Sequence, residues 1–386
     1  MGKSLRNKAA ITGIGETVYS KTTDRSALSL TLEACLNAIN DAGLVPDDID
    51  GLIPYPSQGL TAESLITNFG LKNVRYSALT PMGGASPVAA LQSAAMAISS
   101  GVAQHVLICL ARGHTKSNDG KITARLAEMP QMGTVGEFEM PLGANAPAQF
   151  YAPMARRHME LFGTTSTQFA EIAMTCRKNA MLNDKAIMRK PMSLEDHQTS
   201  RIISDPLRLY DCCLESKGAA AVGISSKERA NDLKHPPISI IGAAEGHPDS
   251  PSAITQRENF VSLGLAKAAP IAFKMADVTP ADINVAQIYD CFTYIVLCQL
   301  EDMGFCKKGE GGDFVMSGAI GLEGEIPINT HGGLLSEAHI AGMNHINELV
   351  RQLRRACGER QIQDASVGLV TGYGDLGDGS IAILSR

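Results

Sequence analysis

Tryptophan is absent from this chain, and 37 glycines are present. That combination suits tight connections and close-packed elements without naming a fold. No run of basic residues stands out, and 34 basic against 40 acidic residues leave a net charge of −6. A nucleic-acid binder needs a concentrated positive footprint, so that class is set aside. No CxxC pair occurs, so no structural zinc site and no other metal site is expected. Nine cysteines at irregular spacing, with Cys212-Cys213 adjacent, are an odd count in a long chain, which argues against a secreted disulfide framework. No stretch of about 18 apolar residues exists to span a membrane. The polar, basic residues 1–8 run straight into Ala9-Ala10-Ile11-Thr12-Gly13, a strand pattern, with none of the apolar region of a signal peptide. A soluble, cytoplasmic protein is expected. Neither a Walker loop nor a dinucleotide fingerprint is found, so no redox cofactor is implied.

What is there is a globular composition, 44% hydrophobic and 19% charged, in a chain of 386 residues, long enough for two packed halves. Strand patterns at 9–14, 49–53 and 105–110 alternate with helical patterns at 26–42, 61–69 and 87–99. This order predicts an α/β fold with a mostly parallel sheet. Gly43 reads as a helix C-cap, and Pro87 falls in the first turn of the third helix. That helix is rich in alanine and is expected to be buried. Residues 112–161 break the pattern, with Met129-Pro130, Pro141-Leu142-Gly143 and Pro147, and read as a long insertion rather than a core unit. A helix is expected over 167–182, and strands over 218–224 and 238–246.

An internal repeat organises the rest. Ala38-Ile39-Asn40-Asp41-Ala42-Gly43-Leu44-Val45-Pro46-Asp47-Asp48-Ile49-Asp50 is matched by Ala272-Phe273-Lys274-Met275-Ala276-Asp277-Val278-Thr279-Pro280-Ala281-Asp282-Ile283-Asn284. Each reads as a helix end, a Pro-x-Asp-Ile turn and a strand, which points to duplication. The second copy continues through a strand at 285–288, helices at 293–303 and 339–356, and strands at 367–370 and 380–384.

This repeat, the turn at Gly83-Gly84 and the segment Ile288-Tyr289-Asp290-Cys291-Phe292-Thr293 resemble the thiolase superfamily over nearly the whole chain. Leu300-Glu301-Asp302-Met303-Gly304-Phe305-Cys306-Lys307-Lys308-Gly309-Glu310-Gly311-Gly312, followed by Ile328-Asn329-Thr330-His331-Gly332-Gly333, is typical of its lipid-transfer-protein branch, relatives of the sterol-carrier thiolases. The resemblance implies a duplicated αβαβα layered fold: an N-terminal half over 1–247, with the insertion about 112–215, and a C-terminal half over 248–386. It also implies a homodimer and an acyl-CoA substrate, with CoA entering as part of the substrate and no permanently bound cofactor.

The departures carry the functional expectation. A thiolase sets its nucleophilic cysteine at the start of a buried helix, where the dipole favours thiolate. Matching that helix here puts Gly84 at the cysteine's position, and Ser86 two residues later reads as a helix cap. The second thiolase cysteine matches the loop Thr371-Gly372-Tyr373-Gly374-Asp375-Leu376-Gly377, which has none. Claisen chemistry through an acyl-enzyme then lacks both its sulfurs. The branch includes steroid side-chain aldolases, which cleave β-hydroxyacyl-CoA esters with a small OB-fold and zinc-ribbon partner and use tyrosines in place of cysteines.

Four residues are therefore candidates for proton transfer or carbonyl polarisation. Tyr289 stands where sterol-carrier thiolases have histidine; its alternative is a buried, hydrogen-bonded tyrosine, and Asp290 beside it would oppose ionisation if the side chains met. Tyr373 lies between two glycines; its alternative is a ring packed over a turn. His339 matches the superfamily's Gly-His-Pro histidine, with both neighbours changed, and could instead satisfy backbone groups at a helix start. His331 is a further possible donor, and His345 reads as packing. Asp290 can orient a neighbour or cap the helix at Thr293. Gly332 and Gly333 are expected to let backbone approach a ligand, and Lys307 and Lys308 to meet a CoA phosphate, although a solvated turn explains that lysine pair equally. Three functions follow: retro-aldol cleavage of a bulky β-hydroxyacyl-CoA, acyl transfer by a displaced cysteine, and a non-catalytic acyl-CoA or lipid carrier.

Overall fold

The computed structural model describes residues 5–55, 58–114, 133–250, 254–374 and 376–386. The first half holds β1 (Ala9–Glu16), α1 (Ala27–Ala42), β2 (Gly51–Pro54), α2 (Ala62–Phe69), β3 (Tyr76–Ser77), α3 (Ser86–Ser99), β4 (His105–Arg112), α4 (Pro147–Phe162), α5 (Ser166–Met181) and β5 (Gly218–Ser226). The second holds β6 (Ile238–Gly246), α6 (Leu265–Ala276), β7 (Val285–Gln287), α7 (Thr293–Asp302), α8 (Gly333–Ser336), α9 (Met343–Leu353), β8 (Val367–Tyr373) and β9 (Gly379–Ser385). The strands run in the order β3-β2-β4-β5-β1-β6-β9-β8-β7. Across the β1/β6 seam Ala10 pairs with Ser239 and Ile11 with Ile238, and Asn7 N donates to the Ile240 carbonyl at 3.0 Å.

The repeat is structural as well as sequential. Asp48 Oδ2 accepts from Val45 N at 2.9 Å, and Asp282 Oδ2 accepts from Thr279 N at 2.7 Å, closing the same turn twice. A Cβ on Gly13 would stand 2.1 Å from the Ala38 carbonyl oxygen; on Gly242 it would stand 2.4 Å from that of Ala272. Each half thus presses its first helix onto its first strand through an obligatory glycine. β6 corresponds to β1 and pairs with β9 along its length, so it runs beside the second-half strands.

Side chains alternate between the faces of β4 with the period of two that a strand imposes. Leu107, Cys109 and Ala111 pack against α1, while Val106, Ile108 and Leu110 pack against α3. The α3 core also takes in Ile346 and Leu349 of α9 and strand residues of both halves, such as Val222 and Ala382. The opposite face of the second-half strands meets α6 and α7 through Leu369, Ile381 and Ile383. The expected α–β–α–β–α layering results, with α3 and α9 in the middle.

Four expectations need correction. The sheet is mixed rather than mostly parallel: five of its eight strand pairings are antiparallel, because β5, β6 and β9 run against their neighbours. The helix expected over 339–356 starts at Met343 and ends at Leu353, because Ala341 (φ 46°) and Gly342 (φ 82°) are left-handed and leave His339 in the irregular segment before it. Tyr373 closes β8 rather than lying in a loop. The segment after Arg112 is not merely an insertion: Phe150, Tyr151 and Met154 of α4 join Phe169 and Ile172 of α5 in a core cluster. Met129-Pro130 lie outside the described residues.

Candidate active site

The turn Gly83–Ala85 precedes α3, and Ser86 Oγ accepts from Met82 N at 2.9 Å, locking that turn instead of capping the helix from outside. A Cβ built on Gly84 would lie 2.1 Å from Tyr289 Oη, 2.3 Å from its Cζ and 2.6 Å from the Tyr373 carbonyl oxygen. The Tyr289 phenol therefore fills the space that a side chain at position 84 would need. Tyr289 follows β7, and its backbone is pinned by a ring of hydrogen bonds. Its N donates to Thr371 Oγ1 (3.0 Å), Thr371 Oγ1 donates to Gln299 Oε1 (2.7 Å), and Gln299 Nε2 donates back to the Tyr289 carbonyl (2.7 Å). The phenol is thereby aimed from a pinned backbone just beyond the end of β7.

His339 meets that phenol: Nε2 is 3.1 Å from Tyr289 Oη. Arg112 Nη2, at the end of β4, is 3.5 Å from the same Nε2, and Cys213 Sγ is 3.5 Å from Nδ1. The His339 amide donates to Ser216 Oγ at 3.1 Å. Arg112 thus brings a permanent cation to the Tyr289–His339 pair, the kind of help a phenol needs to ionise near neutral pH. The Tyr373 ring lies 6.5 Å from that of Tyr289 and 5.5 Å from that of Tyr151, which in turn lies 5.1 Å from Phe292. Tyr289, His339 and Tyr373 therefore share one site with Gly84. Arg112, Cys213 and Tyr151 join them unanticipated; the helix holding Tyr151 was signalled only by Pro147 and Gly163 at its ends.

Asp290 holds backbone amides of a neighbouring segment. Its carboxylate accepts from Leu334 N (2.8 Å) and Leu335 N (3.2 Å), so it caps α8 and not the helix at Thr293. His345 Nε2 sits 3.0 Å from Asp290 Oδ1 and 3.0 Å from the Ile288 carbonyl, so that nitrogen carries a proton. His345 is thus part of a buried network and more than packing. His331 Nε2 is 3.2 Å from His345 Nδ1, and burial pushes His331 well below the usual histidine range. His331 stands behind His345; the described partners of its imidazole are His345, Asn344 and Glu337 rather than Tyr289 or His339.

Glu337 belongs to the same buried network, accepting from Asn183 Nδ2 and Asn344 Nδ2 at 2.8 Å each. Burial, with Glu16 adding to it, pushes its carboxyl up to about 8. Between the ordinary carboxylate range and pH 8 the unfolded chain releases this proton while the folded chain keeps it, so stability falls as pH rises through that window. Glu337 is expected to lower stability from pH 5 to pH 8 by a few kcal/mol, while His331, which the folded chain keeps unprotonated, opposes that fall in the lower part of the window. Glu337→Gln should flatten that slope in a pH series of thermal melts; an unchanged slope would contradict it.

The remaining expectations fare differently. A Cβ on Gly333 would lie 2.0 Å from Asp290 Oδ2, and one on Gly332 2.5 Å from Ala180 Cβ. These glycines make room for protein, not for a ligand. Lys308 Nζ turns inward to Asp302 Oδ1 (2.6 Å), Glu301 Oε2 (3.1 Å) and the Val261 carbonyl (3.0 Å). It is neutralised by acids and is not a phosphate ligand. Lys307 is solvated, 3.7 Å from Glu310. Cys213, the thiol beside His339, is pushed up to about 12 by burial, so it stays protonated and is a poor nucleophile.

The layered, duplicated fold and a phenol in the nucleophile's place define a thiolase-type chain without the thiolase cysteine. Residues 246–386 match the family model for a thiolase C-terminal domain-like region. The chain belongs to the thiolase superfamily, in the group of steroid side-chain CoA lyases and aldolases. It is 42% identical to the 17-hydroxy-3-oxo-4-pregnene-20-carboxyl-CoA lyase of Mycobacterium tuberculosis over 91% of this chain and 92% of that protein. It is 39% identical to the steroid side-chain-cleaving aldolase of Thermomonospora curvata, covering 95% of each. The solved Ltp2-ChsH2(DUF35) aldolase superimposes with a TM-score of 0.91 at 37% identity, over 100% of this chain and 99% of that one.

Proposed function

We propose that this chain cleaves a β-hydroxyacyl-CoA thioester by a retro-aldol reaction, releasing a ketone or aldehyde and a shortened acyl-CoA. The observation that carries this is the Tyr289 hydroxyl standing where a side chain on Gly84 would begin, in contact with His339. Retro-aldol cleavage needs a base for the β-hydroxyl proton and donors for the charge that moves onto the thioester oxygen, and no enzyme nucleophile. Tyr289 takes the hydroxyl proton with His339 as the group that holds its own; the carbon–carbon bond breaks, and its electron pair enters the thioester enolate. Arg112 steadies the negative charge, and Tyr373 orients the substrate or returns a proton to the enolate carbon, completing the acyl-CoA product. Acyl transfer is disfavoured because the thiol beside His339 is held protonated.

The substrate is a bulky, steroid-like side-chain ester, a reading supported by the names of the lyase and aldolase relatives. A small OB-fold and zinc-ribbon partner is proposed because the structural relative is a two-component aldolase. A cytoplasmic homodimer is proposed on the family resemblance alone, with CoA present only as part of the substrate. The test is to incubate the chain, with and without the small partner, with steroid and aromatic β-hydroxyacyl-CoA esters and identify products by mass spectrometry. Ketone plus shortened acyl-CoA supports the reading. Acyl transfer without carbon–carbon cleavage across the set would overturn it.

A further inference from the structure

We propose that Cys213 is a positioning residue that holds the His339 proton on Nδ1 and so keeps Nε2 open to receive the proton of Tyr289. This rests on the retro-aldol reading for its catalytic meaning, but its structural part stands alone. A guanidinium has only N–H donors, so at 3.5 Å the Arg112 Nη2 contact makes His339 Nε2 an acceptor. In neutral imidazole the proton then sits on Nδ1, which faces Cys213 Sγ at 3.5 Å, an ordinary N–H···S length. Tyr289 Oη, 3.1 Å from the same Nε2, is then the nearer of two donors that share its single lone pair.

The sulfur is built into place. Cys213 N donates to the Cys291 carbonyl at 2.9 Å, Leu214 N donates to the Leu334 carbonyl at 3.0 Å, and Cys212 bridges to Phe292. The segment carrying Sγ is therefore stitched to the stretch that carries Tyr289. Burial keeps Cys213 protonated, so it acts as an acceptor for the imidazole N–H and not as an ion pair. When Tyr289 passes its proton to Nε2, the Nδ1–H stays hydrogen-bonded to sulfur and an imidazolium forms. The phenolate left behind accepts the substrate's β-hydroxyl proton.

The experiment is ¹⁵N NMR of histidine-labelled full-length protein at neutral pH without substrate, the His339 signal being assigned by its loss in His339→Gln, together with steady-state cleavage rates. The expected wild-type result is a protonated Nδ1 and a bare Nε2. Cys213→Ala removes the acceptor of the Nδ1 hydrogen, so it should move part of the proton population to Nε2 against the Arg112 contact and lower kcat about tenfold or more with KM unchanged. Cys213→Ser, which keeps an acceptor, should restore most of the Nδ1 preference and rate. A wild-type His339 protonated on Nε2, or a Cys213→Ala protein with unchanged tautomer and kcat, would overturn the proposal. The wild-type spectrum decides even if Cys213→Ala fails to fold. If no cleavage is found with any ester, the lyase reading fails while the tautomer result still stands or falls separately.

Discussion

Tyr289→Phe is expected to lower kcat for β-hydroxyacyl-CoA cleavage by about 10²–10⁴-fold, the usual worth of a positioned acid or base. Acyl-CoA affinity should change little. The phenylalanine ring keeps the packing against Gly342, whose Cβ position lies 3.0 Å from Tyr289 Cδ2, and the backbone ring through Thr371 and Gln299 is untouched. Only the oxygen that meets His339 is lost. A buried tyrosine with a purely structural role would instead lose about 1 kcal/mol of stability with kcat preserved. Parallel measurement of cleavage rate, acyl-CoA binding by calorimetry and thermal midpoint separates the two. A carrier with no chemistry of its own would show no cleavage in the wild type for the substitution to remove.

The second large effect is expected at Gly84. A Cβ there would fall 2.1 Å from Tyr289 Oη and 2.6 Å from the Tyr373 backbone oxygen, so Gly84→Ala must push the phenol aside. The backbone oxygen has less freedom to move than the ring. Overpacking of this kind costs about 1–3 kcal/mol, and displacing the base by about an ångström costs cleavage about 10²-fold. Gly84→Cys, which restores the residue a thiolase has, should lose cleavage in the same way and gain no thiolase activity, because the phenol and the added sulfur compete for one space. Activity assays and a crystal structure of Gly84→Ala check this. Wild-type rate with the Tyr289 phenol unmoved would contradict it.

Much of this architecture was legible because its signals are local. The Pro-x-Asp-Ile turns at Pro46 and Pro280 each close on themselves, with Asp48 and Asp282 reaching back three residues, so each copy announces itself. Gly84 and Tyr289 were legible by resemblance, and the structure gives them a shared meaning: one vacates the space that the other fills. What stayed hidden depends on long-range contact. Arg112 and Cys213 reach His339 across 227 and 126 residues, and neither carries a local mark of its neighbour. The lysine and glycine readings erred for the same reason. Lys308 is a basic residue in a glycine-rich turn, but Asp302 lies one side-chain length below it in the folded chain. Gly333 does have the left-handed backbone that its sequence suggests, yet the atoms over it belong to Asp290. His339 was expected to open a helix; two left-handed residues after it delay the helix and turn its imidazole toward Tyr289.

The most direct measurement is the mass of the intact protein, rapidly quenched during turnover of a β-hydroxyacyl-CoA ester in the presence of the small partner. Proton transfer through Tyr289 and His339 leaves nothing bonded to the protein, so the mass should match that of the resting chain while ketone and shortened acyl-CoA accumulate. An added acyl group, mapped to a cysteine and forming at the rate of turnover, would contradict the account.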